Sequence, residues 1–237
     1  MHAGVKALAA TAAVAVALAL PGVVGAENGA GLYAEHCATC HGVGGRGVNG
    51  RGPSLRHVGA RAADFYLRTG YMPLRNPHEQ PWRKRSPFSD DQIDALVRYV
   101  ASLGRGPRVP TPHPERGSVP RGLRLFTDHC AGCHQVVAEG GYVTGARVPR
   151  LDRATPTQVA EAVRIGPYLM PRFGTDEISN RDLDSLVAYV EWAKHPADPG
   201  GWSIGHVGPV PEGLVAWLLA GAVLVATCLA IGRRNAA

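Results

Sequence analysis

Two ten-residue stretches, LYAEHCATCH (32–41) and LFTDHCAGCH (125–134), lie 93 positions apart and end in the same Cys-x-x-Cys-His pentad. No bulk property constrains the fold as much, because a repeat divides the chain into two copies of one unit. The repeat extends beyond the pentads: FSDDQIDALVRYV (88–100) matches ISNRDLDSLVAYV (178–190) at an offset of 90. In these stretches Ile93, Leu96, Val97 and Val100 match Leu183, Leu186, Val187 and Val190. That i, i+3, i+4, i+7 spacing predicts a helix with one buried face. Ser89 or Asp90, and Ser179 or Asn180, supply its N-cap. Each unit therefore reads as a helix entering the pentad, a long Gly/Pro-rich middle and a closing amphipathic helix. The first unit spans 28–105 and the second 122–195, and the five prolines of the intervening stretch (106–121) predict an extended, semi-rigid spacer.

A unit of about 75 residues is near the lower limit for a self-sufficient core. This chain is also poor in aromatics and rich in glycine (30) and proline (19). Something other than side chains has to fill the interior, and the pentad admits three candidates. In the first, two thiols form thioethers with a haem and the adjoining His ligates its iron. In the second, the two Cys pairs make a tetrahedral zinc site, although such pairs normally lie about 15–20 residues apart. The third is thiol redox chemistry, which calls for a thioredoxin-like βαβ pattern that is not visible. Duplication within an exported chain favours haem: one group held by Cys37, Cys40 and His41, another by Cys130, Cys133 and His134. Apart from the initiator, the only methionines are Met72 and Met170, 31 and 36 residues beyond the pentad histidines and each followed by proline. Arg68 and Gly70 precede the first as Arg164 and Gly166 precede the second. Both methionines are expected to be axial iron ligands, the alternative for each being core packing. In the first unit His57 and His78 compete for that place. His36 and His129 are too close to their pentads to reach the other haem face. His/Met ligation raises a haem's potential and leaves one-electron transfer as its chemistry.

Both ends of the chain are apolar. Residues 1–26 have a basic start, an Ala/Val/Leu centre and a small-residue end, the layout of an export signal cut before Glu27, with an uncleaved anchor as the alternative. Residues 213–232 form an uncharged run of 20 residues, about 30 Å as a helix and enough to cross a bilayer. Trp217 stands near its start, and Arg233 and Arg234 open a cytoplasmic tail (233–237), which leaves the body of the chain, joined through 196–212, on the extracytoplasmic side. Cys228 inside the run reads as a packing residue, with lipidation as the alternative. The net charge of +6 is carried mostly by arginine, without a nucleic-acid-binding motif. It fits a basic docking face for an acidic protein partner. Among the arginines, Arg83, next to Trp82, is the best candidate for a haem propionate contact.

These residues resemble class I cytochrome c in tandem. GPSL (52–55) and VPRL (148–151) look like that family's proline loop, so the resemblance implies that Pro53 and Pro149 orient the ligating histidines through a backbone carbonyl. From about Leu32 onward the chain is similar to the dihaem cytochrome c subunit of actinobacterial cytochrome bcc complexes. The stretches that carry this are TGYMPLRNP, FSDDQIDALVRYVASLGRGP, RIGPYLMPRF and the tail GGWSIGHVGPVPEG. Tyr71 stands where that family would have Arg or similar. The resemblance implies an all-α fold of two class I cytochrome c domains plus one C-terminal transmembrane helix, with two covalently bound haem c groups. It also implies that the chain serves a quinol–cytochrome c reductase. Electrons would come from the Rieske iron-sulfur subunit and cytochrome b subunit and pass to the copper-bearing subunit of an aa3-type oxidase. Other functions that accommodate the same residues are a dihaem subunit of another membrane oxidase or periplasmic dehydrogenase, a peroxidase with one open iron, and a gas sensor.

Overall fold

A computed structural model of the chain describes residues 28–195 and 209–235. The expected signal (1–26), most of the juxtamembrane segment (196–208) and the last two tail residues lie outside the described residues. The chain up to Lys194 forms one compact unit and the chain from His195 onward another. In the first copy, helix α1 (Gly29–His36) runs into the pentad turn α2 (Ala38–His41). Helix α3 (Gly59–Arg68) and the closing helix α4 (Asp90–Ser102) follow. The second copy repeats this order with α5 (Val119–His129), α6 (Ala131–His134), α7 (Pro156–Ile165) and α8 (Asn180–Lys194). Between α6 and α7 a short antiparallel hairpin pairs β1 (Gly141–Val143) with β2 (Ala146–Val148), Gly141 facing Val148. The first copy has a single bridge, Val48 to Gly52, at the matching place.

Local chemistry accounts for most of these boundaries. Ser89 caps α4 by accepting from the Gln92 backbone N–H while the Gln92 side chain accepts from Ser89 N–H, a reciprocal box. Ser179 accepts from Asp182 N–H at the start of α8. The Gly/Pro-rich middles are less irregular than the sequence reading has them, since each contains a ten-residue helix. In α7 the sign of it is legible in hindsight: Thr155 and Gln158 form a capping box around Pro156 in the first turn. In α3 no capping side chain marks the start.

Each copy closes by crossing its first helix over its last. On α1 a methyl placed on Gly29 would lie 2.2 Å from the Ala95 carbonyl oxygen of α4. On α5 the same addition to Gly122 would lie 2.0 Å from the Ser185 carbonyl of α8. Backbone touches backbone at both crossings, and only glycine permits it. An aromatic pair fills the space beside each: Tyr33 with Tyr99 (4.9 Å between centroids) and Phe126 with Tyr189 (5.2 Å). Such pairs contribute about 0.5–1.5 kcal/mol beyond their burial. The two copies also tie the loop after the pentad to this core, from opposite helices. Tyr33 of α1 donates its hydroxyl to Gly42 O, whereas Tyr189 of α8 donates to Val136 O.

An arginine, partly buried in the first copy and buried in the second, then fastens the middle helix to the closing one. Arg68 donates to Asp64 (2.9 Å) and Asp90 (3.0 Å) and pairs with Asp94. Its counterpart Arg164 donates to the carbonyls of Phe173 and Gly174 and to Asn180 Oδ1. The register between copies is 93 at the pentads, 98 at the two methionines and 90 at Phe88 and Ile178. The first copy thus carries eight extra residues between its methionine and its closing helix.

The Pro-rich spacer is strapped down at both ends. Arg61 N–H of α3 donates to Pro107 O, and His113 N–H donates to the Asp184 carboxylate of α8. Helix α5 begins at Val119, so the last three residues assigned to the spacer belong to it. In the second unit, helix α9 (Pro209–Asn235) contains a stretch, Gly213–Arg234, long and apolar enough to cross a membrane.

Gly122→Ala is expected to lower the stability of the chain by roughly 1–3 kcal/mol through overpacking of the α5–α8 crossing. Gly132→Ala, where an added methyl meets nothing within 4 Å, is expected to leave it unchanged or slightly raised. Thermal unfolding of the two variants side by side checks this, and equal midpoints would remove the crossing as the cause.

Candidate functional site

The two pentads adopt the same backbone. Cys37 ends α1 at φ −121°, ψ −32° and Cys130 ends α5 at φ −122°, ψ −36°. The residue after the pentad His is at positive φ in both, Gly42 in the first copy and Gln135 in the second. In each turn the histidine N–H donates to the first cysteine's carbonyl at 2.9 Å. This tight turn presents both sulfurs and the imidazole from one stretch of chain.

A proline carbonyl lies against each pentad histidine. His41 Nδ1 lies 2.8 Å from Pro53 O and His134 Nδ1 lies 3.2 Å from Pro149 O. A carbonyl only accepts, so Nδ1 carries the proton and Nε2 is the lone-pair nitrogen of each ring. Burial pushes His134 below its ordinary pKa, against the opposing pull of the Pro149 carbonyl, which keeps the ring neutral. A neutral ring with Nε2 unprotonated is the form that ligates a metal.

In the second copy Cys130, Cys133, His134, Pro149 and Met170 all border one cavity that opens to solvent. The donor set of two thiols, an imidazole and a thioether around a mainly apolar hollow suits a covalently attached haem. In the first copy Cys37 and Met72 pack against one core cluster with Tyr33, Leu67, Leu96 and Val100. His57 is exposed, its ring beside the Gly104–Gly106 backbone with Nδ1 3.2 Å from Arg105 O, and His78 is exposed as well. Neither belongs to that cluster. His36 and His129 pack edge-on against Phe88 and Phe173.

The first cysteines of the two pairs, Cys37 and Cys130, pack in separate cores, and no three His, Cys, Asp or Glu side chains converge on a metal site among the described residues. Burial, then the neighbouring thiol, pushes Cys37 up to about 11 and Cys130 up to about 12. A thiol-redox pair requires the opposite shift.

Sequence reasoning did not anticipate the seam between the copies. Helix α3 faces α7 there, and Glu161 of α7 is fully buried with neither carboxylate oxygen hydrogen-bonded among the described residues. Burial first, then repulsion from Asp64, pushes its carboxyl up to about 8, although Arg68 and Arg61 pull it down. Two polar links flank this group. The Gln80 side chain donates to Arg147 O (2.6 Å) and accepts from Arg147 N–H (3.0 Å), and Arg83 donates to Gln158 Oε1 (2.7 Å). The sole sequence sign of the seam is a glutamate on the otherwise apolar run VAEAV.

Known proteins resemble this chain along most of its length. A family model described as cytochrome c matches residues 26–104, and one described as cytochrome C oxidase, cbb3-type, subunit III matches 117–190. The chain is 35% identical over 229 residues to the cytochrome bc1 complex cytochrome c subunit of Corynebacterium diphtheriae, covering 88% of this chain and 81% of that protein. It is 34% identical over 219 residues to the protein so named from Mycobacterium tuberculosis, covering 88% and 78%.

Glu161 keeps its proton in the folded chain between its ordinary value of 4.5 and about 8, whereas the unfolded chain loses it. The folded state binds more protons in that window, so this group's contribution to stability falls as pH rises through it, by up to about 1.4 kcal/mol per unit. Glu161→Gln is expected to flatten that slope and to raise stability most near pH 8. Denaturant unfolding from pH 5 to 8 reads it, and parallel slopes for parent and variant would contradict it.

Proposed function

The chain belongs to the family of cytochrome bc1 complex cytochrome c subunits, and from that premise we propose that it is a membrane-anchored dihaem electron carrier of the respiratory chain. It takes electrons from the Rieske iron-sulfur and cytochrome b subunits of a quinol–cytochrome c reductase and passes them to the copper-bearing subunit of an aa3-type oxidase. Bound haem c supplies reversible one-electron chemistry at iron. The polypeptide supplies attachment, ligation and placement.

Cys37 and Cys40 would attach one haem and Cys130 and Cys133 the other, and His41 with Met72, and His134 with Met170, would ligate their irons. The observation that carries the reading is the twofold occurrence of the imidazole-to-proline-carbonyl contact in two pentads of matching backbone. That contact fixes the tautomer and turns Nε2 toward its duty as a ligand. Met170 borders the same cavity as His134, and Met72 and Cys37 pack against the same core cluster while the competing His57 and His78 lie on the surface. With a histidine and a methionine holding each iron, the haems would supply one-electron transfer.

Helix α9 holds the carrier in the membrane, with Arg233 and Arg234 cytoplasmic and both haem modules on the extracytoplasmic side. Tethering replaces free diffusion by a high effective concentration at the partner. No part of this chain is assigned to quinol, whose oxidation belongs to another subunit.

The mass of mature protein is expected to exceed the polypeptide by two haem groups. One or none would overturn the dihaem reading. Met170→His is expected to keep both haems attached and to lower one of the two midpoint potentials by on the order of 100 mV, well within the roughly 0.8 V that axial ligands command. Spectroelectrochemical titration checks it, and two unmoved couples would remove Met170 as a ligand.

A further inference from the structure

The eight residues by which the first module exceeds the second fall between Met72 and α4, in a segment (73–87) that leaves its own module. Gln80 pairs with the backbone of Arg147 on β2, and Arg83 bonds Gln158 on α7. Through this segment and its neighbours, Phe65, Tyr71, Gln80, Pro81 and Arg83 of the first module border the cavity that holds Cys130, Cys133, His134 and Met170. The second site is therefore walled in part by the other module.

Arg83 is the unusual member of that wall. Its guanidinium is half-buried, it forms no ion pair with a carboxylate among the described residues, and its one hydrogen bond there goes to a neutral amide. Burial weakens its hold on its proton, Tyr71 and then Asp152 act in its favour, and Arg153 acts against it. Even a half-buried cation without a paired counter-ion is costly and calls for an anionic partner. The other cavity arginines are differently placed: Arg147 is exposed, and Arg150 lies near Glu139 and Asp152. The anionic groups of a haem are its propionates, and a planar guanidinium is the side chain best matched to a carboxylate.

We infer that Arg83, carried by the first module, binds a propionate of the haem attached to the second. This rests on the attachment of a haem at Cys130 and Cys133 proposed above. Arg83 is a positioning residue. It anchors the carboxylate and places a positive charge beside the second haem, which favours the reduced state because reduction removes one positive charge from the iron. The second haem's potential is thereby set partly by the first module. The sequence already singles out Arg83 for a propionate; the structure assigns it to the opposite module.

The test uses the full-length chain with both haems counted by mass, the second couple being the one that Met170→His displaces. Arg83→Gln is expected to lower that couple so that the reduced-to-oxidised ratio at a fixed ambient potential falls about threefold to tenfold, tenfold corresponding to 59 mV for one electron. The other couple stays in place, and Arg83→Lys recovers part of the shift. Gln80→Ala, which loosens the seam but keeps the cation, is expected to move neither couple. A second couple unmoved by Arg83→Gln, a shift of the first couple instead, or an equal shift in Gln80→Ala would each overturn the assignment. Protein lacking the second haem altogether would refute the attachment itself, a separate result.

Discussion

Two glycines set how closely the helices of each module can approach. Gly29 and Gly122 let α1 and α5 lie backbone-to-backbone on α4 and α8, and the aromatic pairs beside them fill the gap that absent side chains leave. The pentads follow directly from the C-termini of α1 and α5, so the crossing fixes where the sulfurs and the imidazole start. The arginines that tie α3 to α4 and α7 to α8 fix the far side in turn. Beside the packed core of the second module this frame leaves a mainly apolar cavity, bordered by Cys130, Cys133, His134 and Met170.

Much of this was legible in the sequence because it is periodic or repeated. The closing helices announce themselves by apolar spacing and by Ser89, and the pentads and proline loops by duplication. Each proline carbonyl does reach its histidine ring, although that expectation came from family likeness and not from spacing. What stayed hidden was of another kind. The middle helix α3 starts without a capping side chain, so its glycine-rich approach reads as loop. The seam joins residues far apart in the chain, Gln80 with Arg147 at a separation of 67 and Arg83 with Gln158 at 75, and no local pattern encodes such a pairing. Glu161 is an extreme case, since a glutamate in a helix reads as a solvated face until its neighbours are known.

Duplication and divergence meet at that seam. The shared frame makes two equivalent modules, while the unequal segments lie at their junction: the longer hairpin of the second and the eight extra residues of the first. Glu161 feels Asp64, Arg68 and Arg61 there, and burial lowers the pKa of Arg61 and of Arg164. Charges in such low-dielectric surroundings are felt strongly by one another. The join is thus polar and specific, where a greasy contact would have tolerated slippage between the modules.

The straps make few demands on the spacer's own side chains. Pro107 is bound to α3 and His113 to α8 through main-chain atoms, and the stretch between those contacts is the five residues 108–112. A chimera that joins the front half of one homologue to the back half of another therefore keeps the first strap wherever the splice falls, and the second as long as a carboxylate stands at position 184.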